Sequence, residues 1–274
     1  MTLMKGKRGL IVGVANDHSL AWGIAQQLSL EGAELAFSYQ GDVIKKRVVP
    51  LAESLGSQLV FPCDVSQEKD VENLFKSLSS LWTTLDFVVH AVSFSDKNEL
   101  RGEFLSVSRE NFVNTLLISC YSFIDLAKHA APLMGEGGSI LTLSYYGAEK
   151  VIPHYNVMAV AKSALETSVR YAAEDLGKRG IRVNTLSCGP IKTLAASGIG
   201  DFRYILQWNQ NNAPLRRGIT LEDVGKSALY LLSDLGSGVT GETLHVDAGY
   251  HVIGMKAKDA PDIVLPPLNG EAGS

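Results

Sequence analysis

The sequence predicts an α/β fold, a doubly wound parallel sheet with helices on both faces in a single domain, and three observations carry that prediction. Short apolar runs alternate with longer segments of helical spacing along nearly the whole chain. The first runs lack strict polar–apolar alternation, as strands do when helices cover both faces of a parallel sheet. No internal repeat or linker divides the chain, and 274 residues with 46% hydrophobic content can fill one large core.

The elements follow in order. "GLIVGV" (9–14) reads as the first strand, and a polar turn leads to a helix with Ser19 as N-cap and Gly32 as stop. "ELAFSY" (34–39) is the second strand, followed by a helix whose Lys45, Lys46 and Arg47 form a solvated face. "QLVFPCD" (58–64) and "LDFVVHAV" (85–92) are the third and fourth strands. A long helix is expected over 109–133, before the fifth strand "SILTLS" (139–144). The next helix, 153–178, is expected to begin at Pro153, and it repeats apolar residues at Val157, Val160, Ala161, Ala164, Leu165 and Tyr171. "IRVNTLS" (181–187) and "ETLHVD" (242–247) complete seven strands. Residues 1–254 make the domain, and 255–274, with three of the nine prolines, make a C-terminal tail.

Composition narrows the partners. A net charge of −4 with no long basic block argues against nucleic acid or an anionic membrane surface. Lys5, Lys7 and Arg8 before the run from Gly9 to Ala15 imitate a secretion signal, but the run leads into a polar turn rather than a cleavage site. No stretch approaches the roughly 18 apolar residues of a membrane helix, so a cytoplasmic protein with no membrane association is expected. The cysteines, Cys63, Cys120 and Cys188, are odd in number and lack metal-ligand spacing. They read as buried thiols in a reducing compartment, and no metal site is expected.

Glycine at the end of the first strand and a helix soon after suit a dinucleotide pyrophosphate, which the helix N-terminus attracts through free N–H groups and partial positive charge. The spacing here is Gly13-x5-Ser19-x-Ala21-x-Gly23, wider than the compact Gly-x-Gly-x-x-Gly fingerprint. Small residues at 21 and 23 are expected to let helix and ligand approach closely. Asp64 ends the third strand at the adenine edge of such a ligand. Gln40 ends the second, where many NAD-binding proteins place an acidic residue for the ribose. Glutamine binds ribose hydroxyls without repelling a 2′-phosphate, so this chemistry alone leaves NADH and NADPH both open.

The segment "YYGAEKVIPHYNVMAVAK" (145–162) resembles the active-site helix of a short-chain dehydrogenase with altered spacing. The superfamily pairs tyrosine with a lysine four residues on; here that position is Ala159, and Lys162 lies seven residues after Tyr155. The wider sequence resolves the anomaly. The Gly13-x5-Ser19 turn, "AELAFSYQ", "CDV" at 63–65, "LTLSYYGAE", "PHYNVMAVAK", "RVNTLSCGPIKTLAASGI" and "EDVGKSALYLLSD" together resemble the bacterial, NADH-using enoyl-acyl-carrier-protein reductases, a divergent short-chain dehydrogenase branch of Rossmann type. The likeness runs from "KGKRGLIVGVAN" to "GETLHVDAGY", and Tyr-x6-Lys is that family's own pattern.

The resemblance implies roles position by position. Gly13, Ser19 and Leu20 would contact the cofactor phosphates and nearby ribose, Gln40 the adenosine end, Asp64 and Val65 the adenine, and Val92 the nicotinamide-side ribose. Ile191, Lys192, Thr193, Leu194 and Ala195 would fold over the nicotinamide. Tyr155 would donate to the substrate's thioester carbonyl, Lys162 would hold the ribose, and Tyr145 and Ser95 would line the substrate site. NADH is the implied cofactor and acyl carrier protein the implied partner. A homotetramer is expected, because relatives pair helices like those around 109–133 and 153–178. Residues 192–212 are expected to form a mobile lid, with Gly198 and Gly200 as hinges and Phe202, Ile205 and Leu206 facing an acyl chain.

Some positions depart from the family. Ala91 and Ser93 stand where relatives commonly carry serine and glycine. Leu117 falls near the catalytic asparagine of ordinary short-chain dehydrogenases, so no relay through that side chain is expected, and Asn114 reads as helix surface. None of the six histidines is assigned a catalytic role; His154 is expected to point away from the site, and His90 lies in a strand.

The chemistry explains the long gap. Hydride added to the β-carbon of an enoyl thioester puts charge on the carbonyl oxygen, which a preorganised tyrosine hydroxyl can stabilise without being deprotonated. A carbonyl reductase instead needs a lysine close enough to lower the tyrosine's pKa. Seven helical residues span about 10 Å along the axis against about 6 Å for four. With Tyr155 in a flexible first turn, reaching outward, the gap suits a carbonyl beyond the reacting carbon. The alternatives are a carbonyl or alcohol dehydrogenase, disfavoured by Ala159, and a non-catalytic dinucleotide sensor, disfavoured by the presence of Tyr145, Tyr155 and Lys162 together.

Overall fold

The computed structural model describes residues 2–194, 196 and 199–263. All seven expected strands form: β1 (Arg8–Val12), β2 (Glu34–Tyr39), β3 (Val60–Pro62), β4 (Phe87–His90), β5 (Gly138–Ser144), β6 (Ile181–Cys188) and β7 (Thr243–Val246). They make one sheet in the order β3-β2-β1-β4-β5-β6-β7, and every pairing is parallel. The winding reverses between β1 and β4, so a crevice opens beyond their C-terminal ends, where such sheets bind ligands.

Both faces of the sheet are buried, as the lack of alternation in the sequence implies. Leu10 and Val12 of β1 join one core with Val88, Ile140 and Val183; Ile11 joins the other with Phe37, Val89 and Leu141. The first core is closed by α3 (Glu68–Ser79), α6 (Ser122–Met134) and α7 (Asn156–Gly177). The second is closed by α1 (Leu20–Leu30), α2 (Gly41–Ser54) and α9 (Leu221–Leu232). Gly23 and Gly225 let α1 and α9 touch: a Cβ on Gly23 would lie 2.8 Å from the backbone oxygen of Leu221, and one on Gly225 would lie 2.6 Å from that of Gly23. Gly23 therefore serves helix packing rather than ligand approach, which corrects its sequence reading.

Two expected helices differ in detail. After the short α4 (Lys97–Leu100), the helix expected over 109–133 is broken into α5 (Arg109–Leu116), a π turn over Leu117–Tyr121 and α6. Within the π turn, Ser119 Oγ accepts from Phe94 N at 3.0 Å and donates to Phe94 O at 3.1 Å, tying the turn to the loop after β4. Such turns concentrate at functional sites. The second, α7, begins at Asn156 rather than Pro153, because His154 (φ 60°) and Asn156 (φ 39°) take left-handed conformations. Asn156 Nδ2 holds the turn by donating to Leu100 O and Gly102 O at 3.3 and 2.9 Å. Of the expected tail, 264–274 lie outside the described residues.

Candidate active site

The turn after β1 shows why its residues suit an anion. Gly13 has φ 111°, and a Cβ there would lie 2.2 Å from Ala91 O, so only glycine lets β1 and β4 close at this point. Ser19 occupies the N-cap position of α1, but its hydroxyl does not cap the helix. It turns back to accept from Ala15 N at 3.0 Å and Asn16 N at 3.1 Å, fixing the loop. The side-chain capping expected of Ser19 is thus corrected, and the first N–H groups of α1 are left to a ligand, a cradle that fits a dinucleotide phosphate.

A cavity of about 590 Å³ runs from this turn across the ends of β1, β4 and β5. It is lined by Gly13, Ser19, Leu20, Gln40, Val65, Val92, Ser95, Tyr145, Tyr155, Lys162, Ile191, Thr193 and Leu194. Thirteen of the implied site residues therefore share one wall. Three others do not: Asp64 stands behind Gln40, accepting from its Nε2 at 2.8 Å; Lys192 is exposed outside the lining; Ala195 lies outside the described residues. Sequence reasoning missed further lining residues, among them Met158, Cys188, Phe94 and Ile152. Met158 alone carried a signal, one helical turn before Lys162.

Tyr155 occupies the N-cap position of α7, outside the helix, and is 5% exposed. It does not reach outward from a flexible first turn; the two left-handed neighbours and close packing hold it in place. Its ring meets Tyr145 edge-on, with centroids 5.0 Å apart at 78°. On the other side it lies against Gly147, where a Cβ would come within 2.4 Å of the ring. Strained backbone of this kind costs about 1–3 kcal/mol per residue and gathers at active sites.

Burial raises the pKa of both tyrosines. For Tyr155 the next influences, Tyr145 and Glu166, also push upward, and Lys162 is not among them. The hydroxyl stays protonated and able to donate. Lys162 is itself buried, and desolvation lowers it to about 8. Its Nζ donates to Leu143 O at 2.8 Å, and one turn later Glu166 accepts from Ser144 Oγ at 2.5 Å. Consecutive turns of α7 thus grip Leu143 and Ser144, just before Tyr145.

Three thiols are buried, and Cys63 and Cys188 are pushed up to about 12 by desolvation, so neither is a nucleophile. His90 is a core residue, bonded to Thr142 Oγ1 and Ser122 Oγ at 2.8 Å each and lowered to about 3 by burial. His154 faces Asp201 at 3.1 Å, away from the cavity. Asn114 does not line the cavity. From the expected lid, Thr193, Leu194, Ala196, Ile199, Phe202 and Ile205 line it, the last two from α8 (Phe202–Asn212); Leu206 does not, and Gly198 lies outside the described residues.

Among the described residues no helix is long and apolar enough to cross a membrane. A family model described as enoyl-(acyl carrier protein) reductase matches residues 13–251. Enoyl-(acyl-carrier-protein) reductase (NADH) 1 of Rhizobium meliloti is 64% identical over 261 residues, covering 95% of this chain and 96% of the relative. The crystal structure of the Anaplasma phagocytophilum reductase in complex with NAD superposes with a TM-score of 0.91 at 62% identity, covering 96% of this chain and 98% of that one. FabI of Candidatus Liberibacter asiaticus superposes at 0.92 with 52% identity, covering 94% and 100%.

Proposed function

This chain belongs to the enoyl-(acyl-carrier-protein) reductase family, and we propose that it reduces a trans-2-enoyl thioester with NADH, in the last reductive step of fatty-acid elongation. The observation that carries this reading is the placing of a buried Tyr155 and, seven residues on, a buried Lys162 in one cavity, with the Lys162 ammonium donating to Leu143 O at 2.8 Å. That arrangement suits charge developing on a carbonyl beyond the carbon that receives hydride. It does not suit proton delivery to the oxygen of a ketone whose carbon receives the hydride.

Bound at the Gly13 turn and along the cavity, NADH would supply the hydride. Gly13, Ser19 and Leu20 would hold its phosphates, Gln40 and Val65 its adenosine, and Val92, Ile191, Thr193 and Leu194 its nicotinamide half. Lys162 would exchange Leu143 O for ribose hydroxyls. Tyr155 Oη would donate to the thioester oxygen as the enolate forms, its ring held by Tyr145 and Gly147. Tyr145 and Ser95 would line the acyl side. The cavity's surface is mostly apolar there, with Phe94, Met158, Ile199, Phe202 and Ile205 suited to an acyl chain.

The thioester would arrive on acyl carrier protein, and the segment 192–212 would act as a lid closing over it. Exposed Val113, Tyr121, Ile124 and Tyr171 on α5, the π turn, α6 and α7 support a homotetramer built on those helices. A cytoplasmic location suits three free, buried cysteines. The test is NADH consumption with a crotonyl thioester beside a panel of ketones. Turnover of the thioester alone is expected; preferential turnover of a ketone would reassign the site to carbonyl reduction.

A further inference from the structure

Resting on the NADH reading above, we propose that Asp64 sets the cofactor preference as a positioning residue, by fixing which face of the Gln40 amide meets the adenosine ribose. Gln40 follows β2, at the N-cap of α2, and lines the cavity; Asp64 follows the neighbouring strand, β3, and does not. One carboxylate oxygen of Asp64, Oδ1, is taken by Ser66, which donates from its backbone N at 2.9 Å and its Oγ at 2.7 Å. The backbone N of Asp64 is in turn anchored on Asp70 Oδ2 at 3.0 Å. The carboxylate therefore cannot swing, and its second oxygen, Oδ2, points at Gln40.

An ionised carboxylate only accepts hydrogen bonds. Burial presses the Asp64 pKa upward, but the bonds from Ser66 and Gln40 outweigh it and hold the group below the usual carboxylate range, so it stays ionised. The Gln40 amide must then spend an N–H on Asp64, at 2.8 Å, since its carbonyl in that place would set two acceptors against each other. That leaves Oε1 and a single N–H, side by side on the far edge of the amide, for the ligand. A ribose 2′-hydroxyl can donate to Oε1, whereas a 2′-phosphate offers acceptors and negative charge. Asp42, in the first turn of α2, adds a second carboxylate beside the same helix start, where a phosphate would otherwise be drawn. Lys45 does not offset this freely, because its ammonium lies over the Tyr39 ring at 5.7 Å.

The experiment is kcat/KM for NADH and NADPH in the wild type, Asp64→Asn, Gln40→Ala and the double variant. Asparagine at 64 can donate as well as accept, so the Gln40 amide is free to turn Oε1 inward and both N–H groups outward. The NADH-to-NADPH ratio is expected to fall about tenfold in Asp64→Asn, chiefly through a lower KM for NADPH. In the Gln40→Ala background, adding Asp64→Asn should leave the ratio within about twofold, because the amide that transmits the effect is gone. A wild type that prefers NADH, with a ratio unmoved by Asp64→Asn, overturns the proposal alone. So does an equal shift with and without Gln40, which would mean that Asp64 acts by its own charge. A wild type that prefers NADPH overturns the cofactor reading and this proposal together.

Discussion

Gly147→Ala tests whether the placement of Tyr155, rather than its mere presence, matters for catalysis. A Cβ at 147 would lie 2.4 Å from Tyr155 Cδ1 and 2.7 Å from Cε1. Non-bonded carbons settle at about 3.5–4.0 Å, so ring and turn must separate by about 1 Å. The turn around Gly147 is held by Ala148 N to Tyr145 O and Glu149 N to Tyr146 O, at 2.8 and 3.0 Å, so the ring is the part that yields. A displacement of about 1 Å at a catalytic group costs on the order of 10²-fold in rate. Overpacking should also cost about 1–3 kcal/mol of stability. We expect kcat in single-turnover reduction of a crotonyl thioester to fall about 10²-fold, with the NADH dissociation constant nearly unchanged. Added to Tyr155→Phe, which has no hydroxyl to misplace, the same substitution should cost little more. A wild-type kcat in Gly147→Ala, or an equal loss in the Tyr155→Phe background, would refute the placement argument.

Further outcomes follow from Lys162 and the lid. Lys162→Met should weaken NADH binding, measured by fluorescence titration, and slow turnover through a misplaced nicotinamide. Because burial lowers Lys162 to about 8 in the folded chain, wild-type NADH affinity should fall as pH rises past about 8, and the variant should show no such fall. Stability runs the other way: between about 8 and the ordinary lysine value of about 10.4 the unfolded chain binds more protons, so the penalty of burying Lys162 is full below that window and eases as pH rises through it. Hydrogen exchange over residues 199–212 should slow when NADH is added; equal exchange with and without it would count against a closing lid.

The strands, the need for glycine at 13 and the Tyr155–Lys162 spacing were legible because each leaves a local mark. A buried parallel strand is a short apolar run, and seven residues on a helix are a count. The rest depends on contacts between distant segments. Nothing in "YYGAE" says that the ring of Tyr155 will press on Gly147, although a lone glycine after two tyrosines could have prompted the question. Gly23 looked like a ligand contact until α9, some 200 residues later, was seen to pack on it. The π turn at Leu117–Tyr121 escaped because helical periodicity does not register one extra residue. The start of α7 was misplaced because Pro153 is a strong local signal, while the carbonyls of Leu100 and Gly102 that hold Asn156 are 56 and 54 residues away in sequence.

The central claim is that Tyr155 stabilises an enolate while Lys162 holds the cofactor, and Tyr155→Phe tests it most directly. NADH dissociation constant and single-turnover rate are measured on the same protein with a crotonyl thioester. Removal of a preorganised donor to the developing oxyanion should lower the rate by about 10²–10³-fold, and NADH should bind as tightly as in the wild type. A variant that keeps the wild-type rate, or one that loses NADH affinity in step with the rate, would contradict the division of labour between the two residues.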